Sequence, residues 1–160
     1  MFEPGAFVAD YVSPIQPEQI QPNGVDLTID SVEEPIDAGQ ITRSGKTIGA
    51  RQQLAPAEVS DDGETYYLPS GAFVVRYGEV VEIPDGHVGF IYPRSSLLRN
   101  GCMLHTAVWD AGYTGQGEGL LVVHHDIELE RGARIGQLVF SQAEHTGTYE
   151  GSYQGEGESG

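Results

Sequence analysis

The sequence predicts an all-β fold, and three observations carry that prediction. Apolar residues recur with period two in several short runs. Turn signals built from glycine, proline and aspartate separate those runs at fairly regular spacing. Glycine (22) and proline (9) are abundant, a mix that favours many short strands over long helices.

The elements follow in order. In residues 23–32, Val25, Leu27 and Ile29 alternate with Asp26, Thr28 and Asp30, the pattern of a half-buried strand with Asp26 facing away from the apolar side. Residues 33–70 are polar and irregular, with Asp61-Asp62-Gly63 as a loop signal. Ala72 to Ile83 reads as a strand closed by a Pro84-Asp85-Gly86 turn. Val88, Phe90 and Tyr92 alternate again, and Ser95 to Asn100 suits a single helical turn ending at Gly101. Leu120 to Val123 is a short apolar strand, and Ile127 and Leu129 alternate with acidic neighbours. Arg131-Gly132 turns the chain, and Ile135 to Phe140 returns as a strand.

A chain of 160 residues suits one domain with a real core. Residues 1–146 are expected to form it. The last fourteen residues contain five glycines and two tyrosines and cannot bury a core, so residues 147–160 are expected to form a mobile, glycine-rich lid. No apolar run approaches the ~18 residues of a membrane span. The segment Met1-Phe2-Glu3-Pro4-Gly5 lacks the basic and apolar regions of a signal peptide. Cys102 is the single cysteine, so no intrachain disulfide forms. A cytoplasmic protein fits these features.

Acidic residues number 24 against 8 basic ones, a formal net charge of -16. Such a surface repels nucleic acid polymers and anionic membranes, so neither is expected as a partner. One reading of the charge is solubility. The other is adaptation to a high-salt, halophilic cytosol, where screening makes self-repulsion tolerable. The scarcity of lysine, with Lys46 alone, fits the second reading better.

Two clusters carry chemistry. In Pro93-Arg94-Ser95-Ser96-Leu97-Leu98-Arg99-Asn100-Gly101, two hydroxyls lie between two arginines beside a glycine. Guanidinium forks, serine hydroxyls and backbone N–H groups suit an oxyanion such as phosphate. A capped turn with two solvated arginines explains the same residues. The balance tips toward phosphate because Arg94, Arg99 and Arg134 are three of only seven arginines in an acidic chain. The second cluster is Trp109-Asp110-Ala111-Gly112-Tyr113-Thr114-Gly115. It can set a carboxylate beside a flat ring, where the carboxylate orients and deprotonates a water. An ordinary Asp-initiated turn is the plainer alternative.

Taken together, Asn23-Gly24-Val25-Asp26-Leu27, Pro93 to Gly101, Asp110 to Gly115, Arg134-Ile135-Gly136-Gln137-Leu138 and the tail Tyr149 to Gly155 resemble the five ordered motifs of the dUTPase/dCTP-deaminase superfamily. The resemblance runs from about Gln19 to Gln154 and covers residues 33–70 poorly. It implies a distorted jelly roll assembled as a homotrimer with active sites between subunits. It also implies that Asp110 activates water and that Tyr113 lies beneath the deoxyribose, with Trp109 beside it. Arg94, Ser95, Ser96, Arg99 and Gln137 are implied to hold phosphates, with Arg134 in the fourth motif. By the same resemblance, Asp26 lies near Mg2+ through water, and Tyr149, Tyr153 and Gln154 belong to the closing lid. The base is implied to be read by backbone groups between Gly101 and Asp110.

Gln21 to Leu27, Ser96, Arg99 and the Tyr-Gln tail resemble the deaminase branch. Deaminases of the superfamily carry a proton-shuttling glutamate in the strand after the Asp-x-Gly-aromatic turn. Ten residues from Asp110 lies Leu120, and one further is Leu121. Glu118 is near, but flanked by Gly117 and Gly119 its backbone is expected to hold it poorly. The combination resembles archaeal-type dUTPases. The implied reaction is Mg2+-assisted hydrolysis of dUTP to dUMP and diphosphate, which limits uracil in DNA and supplies dUMP for dTMP synthesis. dCTP deamination, alone or combined with dUTP hydrolysis, and a non-catalytic deoxynucleotide sensor remain as alternatives. A cupin-like metal site is disfavoured, because His124 and His125 are adjacent in the chain and face opposite sides of a strand.

Overall fold

The structure, a computed structural model, describes residues 1–157; the end of the expected lid, residues 158–160, lies outside the described residues. A short helix α1 (Gly5–Ala9) precedes β1 (Val12–Ser13), β2 (Ile20–Gln21) and the long strand β3 (Gly24–Pro35). Then come β4 (Gln40–Thr42), β5 (Gly45–Thr47), β6 (Arg51–Gln53), β7 (Glu58–Ser60), β8 (Gly63–Leu68), β9 (Gly71–Tyr77) and β10 (Val80–Glu82). The second half holds β11 (His87–Pro93), α2 (Ser95–Arg99), β12 (Cys102–His105), β13 (Thr114–Gly115), β14 (Glu118–Val123), β15 (Ile127–Glu130) and β16 (Arg134–Gln142). No helix among the described residues is long and apolar enough to cross a membrane.

Strand β3 is the spine of the main sheet, whose path runs β11-β16-β3-β9-β14-β12, with β2 and β6 also paired to β3. Smaller sheets, β1-β10-β13 and β15-β8-β7, complete the jelly-roll-like body. Pairings are antiparallel throughout the main sheet. Val25, Leu27 and Ile29 are fully buried, as their alternation predicts, and pack with Tyr77, Leu121, Leu138 and Phe140 in one core. Removing such a side chain, as in Leu138→Ala, costs ~2–5 kcal/mol through lost burial and the cavity left behind.

Four expectations need correction. Asp26 does face away from the apolar side, yet it is only 2% exposed, so the start of β3 is covered on both faces. Residues 33–70 are not irregular: they hold the end of β3, the β4–β5 hairpin, β6, and the β7–β8 hairpin. The run from Ala72 to Ile83 is two strands. It breaks at Gly78-Glu79, where the buried Glu79 carboxylate accepts from Thr28 N, Thr28 Oγ1 and Gln19 Nε2 at 2.7–2.9 Å. On β11 the buried positions are Gly89 and Ile91, and Tyr92 faces out. Gly89 occupies the inner face because a Cβ there would meet Ile83 Cδ1 at 2.9 Å, and its backbone pairs with that of Trp109.

The predicted helical turn is present as α2. Its end is fixed by Gly101 in the left-handed region (φ +75°), whose N–H bonds the Leu98 carbonyl.

Candidate functional site

Sheet register assembles the first half of the site. Tyr92 on β11 pairs with Gln137 on β16, which pairs with Asp26 on β3. Directly paired residues share a face, so motifs distant in sequence lie side by side. Asp26 Oδ2 sits 3.0 Å from Arg94 Nε and 3.3 Å from Arg134 Nη1. Arg134 Nη1 also donates to the Glu18 carbonyl at 2.6 Å. Burial pushes the Asp26 carboxyl up, against the pull of Arg94 and then Arg134. Arg94 leads directly into α2, which presents Ser95 and Ser96 exposed on its first turn and Arg99 exposed on its last. A cleft beside this helix is lined by Ser96, Asn100, Arg134 and Asp126. Two guanidiniums held by one buried carboxylate, next to two free hydroxyls, form a pre-arranged oxyanion surface.

The second half lies in another cavity, of about 940 Å³. Asp110 to Tyr113 makes a tight turn, with Tyr113 N–H bonded to the Asp110 carbonyl. Gly112 (φ +83°) takes the left-handed position of that turn, which favours glycine. The turn is pinned to the body by Gly112 N–H to the Ile83 carbonyl and Ile83 N–H to the Tyr113 carbonyl. Asp110, exposed, and Tyr113 line the cavity together with residues 105–108, part of the Gly101 to Asp110 segment expected to read a base. Trp109 is 7% exposed and packs edge-on to Tyr113 at 5.1 Å, so it supports that ring from the core side. Burial, then Glu156, pushes the Tyr113 phenol well above its ordinary value, which keeps the ring neutral.

The floor of this cavity holds residues that sequence reasoning missed. Both Glu118 oxygens are engaged by Arg51, at 2.6 and 3.2 Å, and Arg76 Nη2 reaches Oε1 at 3.0 Å. Arg51 also pairs with Glu33. The expectation of a poorly held Glu118 is therefore wrong. Its flanking glycines serve close approach: a Cβ on Gly117 would lie 2.4 Å from the Trp109 ring, and one on Gly119 would lie 2.4 Å from the Tyr77 hydroxyl. The scarcity of cations that singled out Arg94 could have singled out Arg51, Arg76 and Lys46 too.

The tail lies over the same cavity. Tyr149 packs edge-on to Tyr113 at 5.3 Å, and its N–H bonds the Ala111 carbonyl. Gln154 clasps the Asp110 turn from both sides. It donates to the Gly112 carbonyl at 3.0 Å and accepts from Thr114 N–H at 3.3 Å. Glu156 bridges to Gly115 and comes within 3.9 Å of Arg76.

Among the described residues, Arg94, Ser95, Ser96, Arg99 and Gln137 do not line the cavity that holds Asp110 and Tyr113. The two groups of candidate residues therefore lie apart on the chain. No group of three or more His, Cys, Asp or Glu residues suited to a metal ion occurs among the described residues. The carboxylate expected near magnesium, Asp26, carries Arg94 and Arg134 on Oδ2. A single such group fits a cation carried in by a polyphosphate, since magnesium keeps several waters and needs only a carboxylate or two from protein.

The fold is that of a nucleotide-handling jelly roll. The chain belongs to the dCTP deaminase-like family, whose model matches residues 5–143. It is 55% identical, over 98% of its own length and 95% of the relative's, to a probable deoxyuridine 5'-triphosphate nucleotidohydrolase of Halobacterium salinarum. It is 46% identical to a protein of the same name from Aeropyrum pernix, over 86% of each chain. Its fold resembles the crystal structure of 2'-deoxycytidine 5'-triphosphate deaminase from Agrobacterium tumefaciens, with TM-score 0.66 and 18% identity. That match covers 89% of this chain and 48% of the deaminase, so the chain spans about half the deaminase's length.

Proposed function

We propose that this protein hydrolyses dUTP to dUMP and diphosphate. The observation that carries the reading is the pocket face of β14. Glu118 and Leu120 share that face, and both line the cavity. Glu118 is its carboxylate and is held by two guanidiniums through both oxygens. Leu120, ten residues from Asp110, has no proton to move. The near full-length likeness to proteins named as dUTP nucleotidohydrolases supports the same reaction.

In this mechanism Asp110 orients a water and takes its proton as the water attacks the α-phosphorus. Tyr113, supported by Trp109, carries the deoxyribose and leaves no room for a 2′-hydroxyl. Arg94, Ser95, Ser96, Arg99 and Gln137 bind the phosphate oxygens and stabilise the charge that develops there. Magnesium bound with the triphosphate would neutralise part of that charge. Asp26 aims Arg94 and Arg134 and would lie near the cation through water. Tyr149, Tyr153 and Gln154 close over the nucleotide and exclude bulk water. The separation of the two groups supports a homotrimer in which the Asp110 turn of one subunit faces the arginine–serine surface of another. A small enzyme of this kind acts in the cytoplasm, on free nucleotides rather than on nucleic acid.

The second reading is dCTP deamination, favoured by the presence of Glu118 in the cavity. Incubation with dUTP and with dCTP, following diphosphate and ammonia separately, tests both. Diphosphate from dUTP without ammonia from dCTP is expected. Ammonia from dCTP would establish the deaminase reading, and both products from dCTP a bifunctional enzyme. Tight binding without product would establish a sensor.

A further inference from the structure

We propose that the β4–β5 hairpin is a second lip of the Asp110 cavity and that Lys46 is a positioning residue that latches the tail across it. The hairpin buries nothing: all six residues of its two strands are exposed. An isolated two-stranded hairpin is marginally stable in water. This one is carried as an extension of the main sheet. Pro35 pairs with Arg51, Ile36 N–H bonds the Ala50 carbonyl at 2.9 Å, and Arg51 is tied to Glu33 and Glu118. The result is a polar arm standing beside the cavity, which Lys46, Ile48 and Arg51 line from that side.

The arm meets the tail through one side-chain pair. Lys46 Nζ lies 3.3 Å from the Tyr153 hydroxyl and 4.5 Å from the centre of its ring. The contact combines a hydrogen bond with a cation–π attraction. Its charge logic is specific to this chain. The described tail carries Glu150 and Glu156 and no cation, and it must dock on a body that shares a net charge of -16. Lys46, the only lysine, receives Tyr153 on one side of the cavity, and Arg76 faces Glu156 at 3.9 Å on the other. The tail thus meets a cation on each side of the cavity, in addition to its bonds to the Asp110 turn, and one of the two stands on a segment that otherwise has no assigned role.

Hydrogen exchange of the full-length protein without nucleotide tests the latch. The probes are the amides of Tyr149 and Gly155, bonded to the carbonyls of Ala111 and Thr114. In Lys46→Ala they are expected to exchange roughly two- to five-fold faster, the factor that an exposed cation–π contact is worth. Tyr153→Ala should give the same factor, and the double variant should be no faster than either single one. Lys46→Arg should restore the slow rate. Amides of β9 and β14 report in each variant whether the core is intact, and Tyr153→Ala supplies the reading if the hairpin variant disturbs it. The dependent kinetic arm, which rests on the dUTP reading, is read in Lys46→Ala alone and expects a raised KM with kcat held, because Lys46 holds the tail and touches no reacting atom. Unchanged tail exchange in Lys46→Ala, or additive effects in the double variant, would overturn the proposal. Failure of the wild-type protein to hydrolyse dUTP would overturn only the reaction, since exchange is measured without substrate.

Discussion

Asp26 Oδ2 lies 3.0 Å from Arg94 Nε, so a carboxylate only 2% exposed sets the direction of a guanidinium that keeps a third of its surface in water. Arg134 shares the same oxygen at 3.3 Å. Asp26 thus orients Arg94 and Arg134, the proposed phosphate ligands, before any ligand arrives. Asp26→Asn is expected to raise KM for dUTP about ten- to hundred-fold, the worth of charge-assisted bonds of ~1.5–3 kcal/mol. Its melting point should move little, because the substitution also removes the cost of burying a charge. An unchanged KM would show that Arg94 and Arg134 are aimed without Asp26.

Asp110 stands in a turn held before it by the Trp109–Gly89 backbone bonds and after it by the bonds of Gly112 and Tyr113 to Ile83, and Gln154 closes the turn. Its carboxylate is placed by backbone rather than by its own side-chain contacts. Asp110→Asn should therefore keep the turn and nucleotide affinity while cutting turnover by ~10²–10⁴, the usual loss for a general base. Calorimetry with a non-hydrolysable analogue, beside steady-state assay, separates the two. Turnover close to wild type would remove Asp110 from the chemistry.

Much of this was readable in the sequence where apolar residues keep to one face of a strand. Val25, Leu27 and Ile29 sit on one face of β3 and obey period two, and the helical turn ends at Gly101 as read. The β4–β5 and β7–β8 hairpins were not readable. Most of their residues are exposed, and the one buried alternation, Tyr66 and Leu68 at the end of β8, is too short to mark a hairpin. Pairing of β8 with β15, backbone bonds and, at the base of β4–β5, the Arg51 ion pairs hold the region instead. The break at Gly78-Glu79 depends on a carboxylate satisfied by Thr28 and Gln19, partners distant in the chain. The glycines beside Glu118 look like freedom in a sequence and prove to be close approach to Trp109 and Tyr77. The candidate residues were legible as types, but their separation into two groups on the chain is a product of the fold.

The acidic surface carries a prediction about salt. With a net charge of -16, self-repulsion destabilises the compact state when unscreened. Screening shortens the reach of exposed charges to ~3 Å at about 1 M salt. The thermal midpoint should rise from low-salt buffer to molar KCl. A midpoint independent of salt would leave the acidity as a solubility feature alone.

The docked tail should loosen as pH rises. The Glu156 side chain, 21% exposed, sits on the floor of the Asp110 cavity when the tail is in place. Burial, then the neighbouring Glu118 carboxylate, raises its pKa above the ordinary value of 4.5, and Arg76 and Arg51 only partly offset this. A carboxyl whose pKa is higher docked than free binds its proton more tightly docked. Its contribution to docking is fully present below the free value and fades as pH climbs through the raised one. The window thus opens at about pH 4.5 and extends upward from there. The amide NMR signal of Gly155, bonded to the Thr114 carbonyl in the docked tail, reports the equilibrium. It should move toward its free position across that window in the wild-type protein. Glu156→Gln keeps the shape and removes the charge, so its signal should stay near the docked position throughout. A wild-type signal that tightens with rising pH would mean that Arg76 outweighs burial and Glu118, and that Glu156 docks as a carboxylate.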